Sequence, residues 1–450
     1  MSNFRPINRD TGFLLPPSVD EWLPQRHLAR FVVEVIDGLD LSELEKAYRG
    51  SGSASYHPAM LLGLLVYGYA TKVFSSRALE RGTYDSVAFR YIAGNEHPDH
   101  DTIAAFRKRF LRHIEALFVE VLKLARAMGM LKLGTVALDG TKVHANASRH
   151  SALSYGHAKK LEKQLRREVQ QLLSLAERAD EADIPDGMSI PEELERREAR
   201  LAAIAEAKAK IEARVHEREQ AAYAEKLAAR EEREKRTGKK PGGRPPQPPS
   251  GSVEAQEQIN LTDEDSRIMP APGGGFDQSY NAQAVVAAGS LLIVAQEVTQ
   301  AGNDQRQLVP MLHKLKALPR QLGRPRWLLA DNGYLSEANV EHCAASKIEP
   351  LIALGRERHH AAWRQRFRAA PKSPPASATP MQKMVHRLKT PAGRKLYALR
   401  KHTPEPVFGI IKSALGFRQF SLRGLKNVKG EWNLVTMSWN IKRMFALQPV

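Results

Sequence analysis

The chain has 450 residues, 42% of them hydrophobic, and 68 Lys/Arg against 50 Asp/Glu, a net charge of +18. That length exceeds one ordinary core and predicts two or three domains. No run approaches the roughly 18 apolar residues of a membrane span, and one cysteine, Cys343, rules out intrachain disulfides and cysteine-based zinc sites. The charge points to a polyanionic partner, nucleic acid before membrane, because it is spread over several segments. The start, MSNFRPINRD, has no apolar h-region, so no secretory signal is expected and a reducing cytoplasm fits.

Residues 1–130 predict an all-helical domain. A helix from Pro24 carries Leu28, Phe31, Val32 and Val35 and stops near Gly38. His57-Pro58 opens an apolar helix over 60–69, whose Gly63 and Gly68 permit close packing, and a third helix covers 77–82. Asp101 or Thr102 then caps a longer one. It carries Ile103, Phe106, Phe110, Ile114, Leu117, Val121 and Leu124 at three- and four-residue steps. Arg107, Lys108, Arg109, Arg112 and His113 hold its other face. Short helices before a basic amphipathic helix suit a helix-turn-helix-like DNA reader, and equally a bundle with a solvated basic face.

Residues 134–148 read GTVALDGTKVHANAS. Alternation over 135–143 predicts a half-buried strand. Asp139 sits in mid-strand among apolar neighbours, which is costly unless it is hydrogen-bonded in a turn or neutralised by a cation. Gly140 lets something large approach the backbone. Residues 149–236 form an insertion. A helix over 158–179 carries Leu161, Leu165, Leu172 and Leu175, and residues 183–187 break it. Ser189 and Glu192 suggest a capping box for a second helix ending near Arg236. Together they predict an antiparallel helical hairpin or coiled coil. Residues 237–255 are Pro/Gly-rich and basic, a linker.

Strand character returns at Phe276. Residues 278–287 and 291–299 predict a hairpin, 305–317 a helix, and RWLLA at 326–330 a buried strand ending at Asp331. Asn332-Gly333 turns the chain, Ser336 opens a helix, and 348–354 is a last strand. Without the insertion, this is the element order of an α/β ribonuclease-H-like domain with a mixed sheet, occupying 131–148 and 256–450. The last hundred residues hold 20 Lys/Arg and 3 Asp/Glu. Trp363, Phe367, Tyr397, Phe408, Phe417, Phe420, Trp432, Trp439 and Phe445 are interleaved with them, a pattern for phosphate contacts and base packing in which some rings must be core.

Glu405 is one of those three acids, in YALRKHTPEPVFGIIKSALG. Asp139, Asp331 and Glu405 stand 192 and 74 residues apart. Three carboxylates converging at one sheet rim would repel one another, and two divalent cations would relieve that.

The pieces PDHDTIAAFRKRF, VALDGTKVHANAS, SYNAQAVV, LLADNGYLS and YALRKHTPEPVFGIIK occur in that order. Together they resemble the DDE transposases of bacterial insertion sequences, in the group with a Tyr-Arg-Glu-Lys signature and an InsH-type helical N-terminal domain. Four residues, 401–404, separate Arg400 from Glu405 where that signature has three. The resemblance implies that Asp139, Asp331 and Glu405 hold two Mg²⁺ ions, with Mn²⁺ able to substitute, and catalyse strand cleavage and strand transfer on double-stranded DNA. It implies that Tyr397 and Arg400 position flanking DNA. Lys412, seven residues past Glu405 and so two α-turns on, would hold a phosphate. Arg107, Lys108, Arg109 and Arg112 would contact the element's terminal repeats. A homodimer or higher oligomer on nucleoid DNA is implied, and no membrane. Three other readings share parts of the pattern: a ribonuclease-H-like metal-dependent nuclease without transposition, a catalytically inactive DNA-binding descendant, and a coiled-coil scaffold built on residues 158–236.

Overall fold

A computed structural model describes residues 18–48, 55–148, 151–177, 189–238, 242–271, 273–355 and 372–448. It divides into two compact units, Met1–Asn146 with Ile268–Val450, and Ala147–Arg267.

The first unit opens with helices α1 (Val19–Trp22), α2 (Leu28–Asp37), α3 (Ser42–Glu45), α4 (Pro58–Ala70), α5 (Ser76–Asp85), α6 (Val87–Ile92), α7 (His100–Phe110) and α8 (Ile114–Ala127). α2, α4, α5 and α7 each start on a side-chain cap. His27 Nδ1 accepts from Ala29 N at 3.1 Å, and Asp99 Oδ1, rather than Asp101 or Thr102, accepts from Thr102 N at 2.6 Å. The two glycines of α4 are spent on close packing: a Cβ at Gly63 would lie 2.9 Å from Ile92 Cγ2, and one at Gly68 2.5 Å from Leu79 Cδ2. The single long helix expected over 101–124 is instead two, joined by a 3₁₀ turn at Leu111–His113.

The sheet follows. Its strands are β1 (Thr135–His144), then, after the second unit's β2 (Ala152–Ser154) and β3 (Gln258–Asn260), β4 (Arg267–Pro270), β5 (Phe276–Ala287), β6 (Ile293–Thr299), β7 (Trp327–Ala330) and β8 (Glu349–Ile352). The order is β4-β5-β1-β7-β8, with β6 also paired to β5. β1 is antiparallel to β5 and parallel to β7, which is parallel to β8, so the sheet is mixed. The α11 helix (Leu308–Ala317) precedes β7, and α12 (Glu337–Ala345) joins β7 to β8.

Among the described residues, four helices complete the unit: α13 (Pro380–Lys389), α14 (Pro391–Ala398), α15 (Pro404–Gly409) and α16 (Leu425–Leu447). The last is buried on nearly every side from Val428 to Ile441, the mark of a core helix. Its polar side chains serve the strands beside it. Asn440 accepts from Ile293 N and donates to Ile293 O, both at 2.8 Å, and Trp439 Nε1 donates to Leu291 O at 2.9 Å. On another side, Glu431 takes the Tyr69 hydroxyl of α4 at 2.9 Å. A Cβ at Gly430 would lie 2.3 Å from Leu111 Cγ, so α16 seats directly on the 3₁₀ turn between α7 and α8. The helices before residue 130 and the sheet therefore share one core helix, and no boundary between compact bodies falls there. Trp432, Trp439, Phe408, Phe417, Phe420 and Tyr397 are buried in this unit and offer no ring to a base. Trp363 and Phe367 lie outside the described residues.

The second unit pairs α9 (Tyr155–Glu177) with α10 (Ile190–Thr237). Tyr155 meets Glu212 at 2.6 Å, Glu162 meets Lys208 at 2.6 Å and Glu168 meets Arg197 at 2.8 Å, a descending order that makes the helices antiparallel. Leu165, Ile204, Ile211 and Val215 pack between them. Ser189 is the N-cap of α10, but its side chain makes no capping bond, so the expected box does not form. β3 pairs with β2 rather than with the larger sheet, and residues 256–266 lie in this unit. The expected break at 183–187 lies outside the described residues.

Candidate active site

The register of β1 against β7 places the first two acids. Thr135, Val136 and Ala137 face Trp327, Leu328 and Leu329, each pair 192 positions apart. Asp139 and Asp331 are also 192 apart. The pairing ends at Ala137 and Leu329; Asp139 lies two residues further along β1, and Asp331 lies one residue past the end of β7. Ala137 and Leu329 pack with Leu351 and Tyr397 on one sheet face. Strand side chains alternate, so Asp139 and Asp331 extend that face to the carboxyl end of β7.

Burial pushes the Asp139 carboxyl up to about 7, the nearby charges of Asp331 and Asp304 add to the rise, and the Gly140 amide and Arg400 oppose it. The Gly140 N–H donates to Asp139 Oδ1 at 2.8 Å. Asp331 is raised by burial and by Asp304, against the pull of Gly333 N and Arg400. It caps the 3₁₀ turn Asn332–Tyr334, accepting from Gly333 N at 2.9 Å. Desolvated carboxylates side by side hold their protons unless a cation arrives.

Residues 17–109 match a family model described as "Transposase domain (DUF772)", and residues 256–441 match one described as "Transposase DDE domain". The chain belongs to the DDE transposases of insertion sequences. Neither a curated protein nor a solved structure matches it. β1, with Asp139, lies between the two matched spans, yet it pairs with β5 and β7 inside the second.

In this transposase Glu405 stands in the first turn of α15, half exposed, with Oε1 3.4 Å from Arg400 Nη2. The additional residue between Arg400 and Glu405 is absorbed by a 3₁₀ turn, Leu399–His402, and by Thr403, whose hydroxyl donates to Leu399 O at 2.7 Å. Arg400 also acts electrostatically on Asp139 and Asp331, so the three acids are linked through this guanidinium. Its Nε is buried and makes no hydrogen bond among the described residues. Among those residues no three of His, Cys, Asp and Glu are gathered tightly enough to hold a metal ion. The donor chemistry nonetheless fits a hard divalent cation: two desolvated carboxylates that act on each other, and a third on a half-exposed side chain held by Arg400.

Tyr397 lies under the site, its hydroxyl donating to Ala330 O at 3.3 Å. Lys412 does not share an α-helical face with Glu405. Residues Ile410–Ala414 form a π turn, and Lys412 Nζ donates to Lys142 O of β1 at 2.5 Å. His144 uses its backbone to bridge to the chain at Arg418 and Phe420.

Asp304 was not among the expected residues. It accepts from Asn281 Nδ2 at 2.6 Å and Gln283 Nε2 at 2.7 Å, and Lys142 Nζ lies 3.8 Å away. Gln283 Oε1 in turn takes the Tyr334 hydroxyl at 2.5 Å. The signal was present in β5: Asn281 and Gln283 are two polar side chains at alternate positions of the otherwise apolar stretch 282–287 and its approach, and such buried groups require partners.

The expected basic face of α7 is only partly a surface. Arg107 turns inward, Nη1 donating to Phe74 O at 3.1 Å and Tyr69 Oη at 3.4 Å. Arg109 lies over the Tyr48 and Phe110 rings and donates to Ala47 O. Lys108 and Arg112 remain exposed.

Proposed function

We propose that this transposase cuts double-stranded DNA at the ends of its element and joins the freed 3′-hydroxyl to target DNA, on a ribonuclease-H-like sheet. The observation that carries the reading is that Asp139 on β1 and Asp331 just past the end of the parallel neighbour β7 lie close enough for the charge of Asp331 to raise the Asp139 carboxyl. The sheet order supports it, with β4, β5 and β6 on one side of β1, where β1–β5 and β5–β6 pair antiparallel, and the two parallel strands β7 and β8 on the other.

Asp139, Asp331 and Glu405 are the proposed ligands of divalent cations, Mg²⁺ with Mn²⁺ able to substitute. Bound there, the metals would activate the attacking oxygen and stabilise the leaving one. The chain's own residues do the rest by positioning and charge, which is what phosphoryl transfer chiefly needs. Arg400, with an unused buried Nε donor beside the aspartates, orients the phosphate flanking the cut. Tyr397 holds the end of β7, and with it Asp331, in place. Lys412 fixes α15 and the π turn to β1, the strand that bears Asp139. Lys108, Arg109 and Arg112 meet terminal-repeat DNA, and the basic C-terminal segment adds sequence-independent affinity. The protein works as a dimer or higher oligomer in the cytoplasm, on nucleoid DNA. Among the described residues no helix is long and apolar enough to cross a membrane.

The test is a labelled end fragment incubated with the protein and Mg²⁺ or Mn²⁺, with products resolved as nicks and as joined strands. Joined strands from the wild type, absent in Asp139→Asn, Asp331→Asn and Glu405→Gln while DNA binding survives, are expected. Nicks without joining would leave a nuclease, and cleavage by Asp139→Asn would remove the proposal's centre.

A further inference from the structure

The inserted α9–α10 unit has no part in the site above, yet its charges are sorted. On α10, cations stand beside acids one turn away: Arg196 and Arg197 pair with Glu193, and Lys210 with Glu206. On α9 the acids are turned toward α10, Glu162 to Lys208 and Glu168 to Arg197. The exposed charges left on α9, among the described residues, are Lys159, Lys160, Lys163, Arg166 and Arg167, every one positive. Arg166 has a partner in Glu162 and Lys159 lies over the Tyr155 ring, but Lys160, Lys163 and Arg167 make no ion pair among the described residues.

Residues three and four apart on a helix are neighbours. Lys159 with Lys163, Lys160 with Lys163, and Lys163 with Arg167 are therefore like-charge pairs, each of which weakens the helix. A solvated face gains nothing from this arrangement; a face that meets a polyanion does. Lys159 to Arg167 spans about 12 Å along the helix axis. Duplex DNA presents a phosphate every ~3.4 Å along each strand, so a stripe of that length meets several.

We infer that the outward face of α9, through Lys160, Lys163 and Arg167, docks on the phosphate backbone of duplex DNA. The contact is sequence-independent, since phosphates carry no base information. It rests on the transposase reading only in that DNA is the substrate; the surface lies outside both matched family spans.

The experiment uses the full chain and a random-sequence duplex, with affinity measured from 50 to 200 mM salt. The variant is Lys160→Gln/Lys163→Gln/Arg167→Gln, which keeps helix propensity while removing three charges. A control, Arg200→Gln/Lys226→Gln/Arg233→Gln, removes three exposed charges from α10. If three phosphate contacts are lost, the slope of log affinity against log salt falls by about 2.7, so the wild type loses roughly 40-fold more affinity than the variant across that range. The control should keep the wild-type slope, and both variants should melt with the wild type. An unchanged slope in the α9 variant, in a protein that still binds and cuts DNA, overturns the inference alone. An equal drop in the control overturns it too, reducing the effect to net charge. A wild type that neither binds nor cuts DNA overturns the transposase reading along with it.

Discussion

The Tyr397 hydroxyl donates to the carbonyl oxygen of Ala330 at 3.3 Å, one residue before Asp331. This bond ties α14 to the end of β7, and α14 leads directly into the turn that carries Arg400 toward the acids. Tyr397→Phe keeps the buried ring and removes only the bond. It should cost about 0.5–1.5 kcal/mol of stability, and DNA cleavage should fall far less than in Asp331→Asn. A denaturant melt with a cleavage assay checks both; a loss of activity equal to that of Asp331→Asn would make Tyr397 a direct participant.

Asp139 supplies a pH signature. Its folded value, about 7, lies above its ordinary 3.8, so the folded protein binds a proton that the unfolded chain has released between those values. That contribution is complete below pH 3.8 and is lost as pH rises through about 7. Metal-free wild type should therefore lose stability from pH 4 to 8 relative to Asp139→Asn, which lacks the titrating group. The variant should equal or exceed the wild type at pH 8. Denaturation midpoints at both pH values decide it; a variant that is least stable at pH 8 would mean that the ionised carboxylate is a favourable hydrogen-bonding partner.

Gly140 leaves room for the Asp304 network. A Cβ there would lie 2.2 Å from Gln283 Nε2 and 2.8 Å from Asp304 Oδ1. Gly140→Ala should displace both and cost about 1–3 kcal/mol, as buried polar groups lose their partners. Asp304→Asn should be milder in stability, and should lower the Asp139 carboxyl by removing a like charge. Carboxyl titration by NMR in the two backgrounds reads the shift; no change would place Asp304 too far away to matter.

Arg107 and its neighbours should separate cleanly. Arg107 stands beside the buried pair in which Tyr69 donates to Glu431, whose carboxylate also accepts from Ser421 N and Leu422 N, the latter at 3.0 Å. Burial raises Glu431, and Arg107 lies among the groups that hold it down. Arg107→Ala should cost about 1–3 kcal/mol through the groups left unpaired, while Lys108→Ala/Arg112→Ala should stay within about 0.5 kcal/mol per site and weaken binding to element ends. Thermal melts beside end-fragment binding test the division. A stable Arg107→Ala with lost DNA affinity would return Arg107 to the surface.

The sequence by itself determined the elements whose signals are local. Alternation gave β1 and β5, turn residues gave the β5–β6 hairpin, and Pro58 with its cap gave α4, because period and capping depend on neighbours a few residues away. It also singled out Asp139 and Asp331 as proposed ligands, since each follows an apolar run. Tertiary structure alone decided what those residues meet. That α16 is one core helix shared by the N-terminal helices and the sheet depends on contacts across more than 300 positions, such as Tyr69 with Glu431. Arg107 looked like a surface cation because the helix face it shares with Lys108 is legible, while the buried carboxylate that turns it inward lies at the other end of the chain. Lys412 was placed by counting α-helical turns, and a π turn, set by packing against β1, shifted it. The approach of Asp139 to Asp331 is of the same kind: it follows from the pairing of β1 with β7, strand register is settled by which faces the rest of the protein buries, and no local pattern encodes a neighbour 192 residues away.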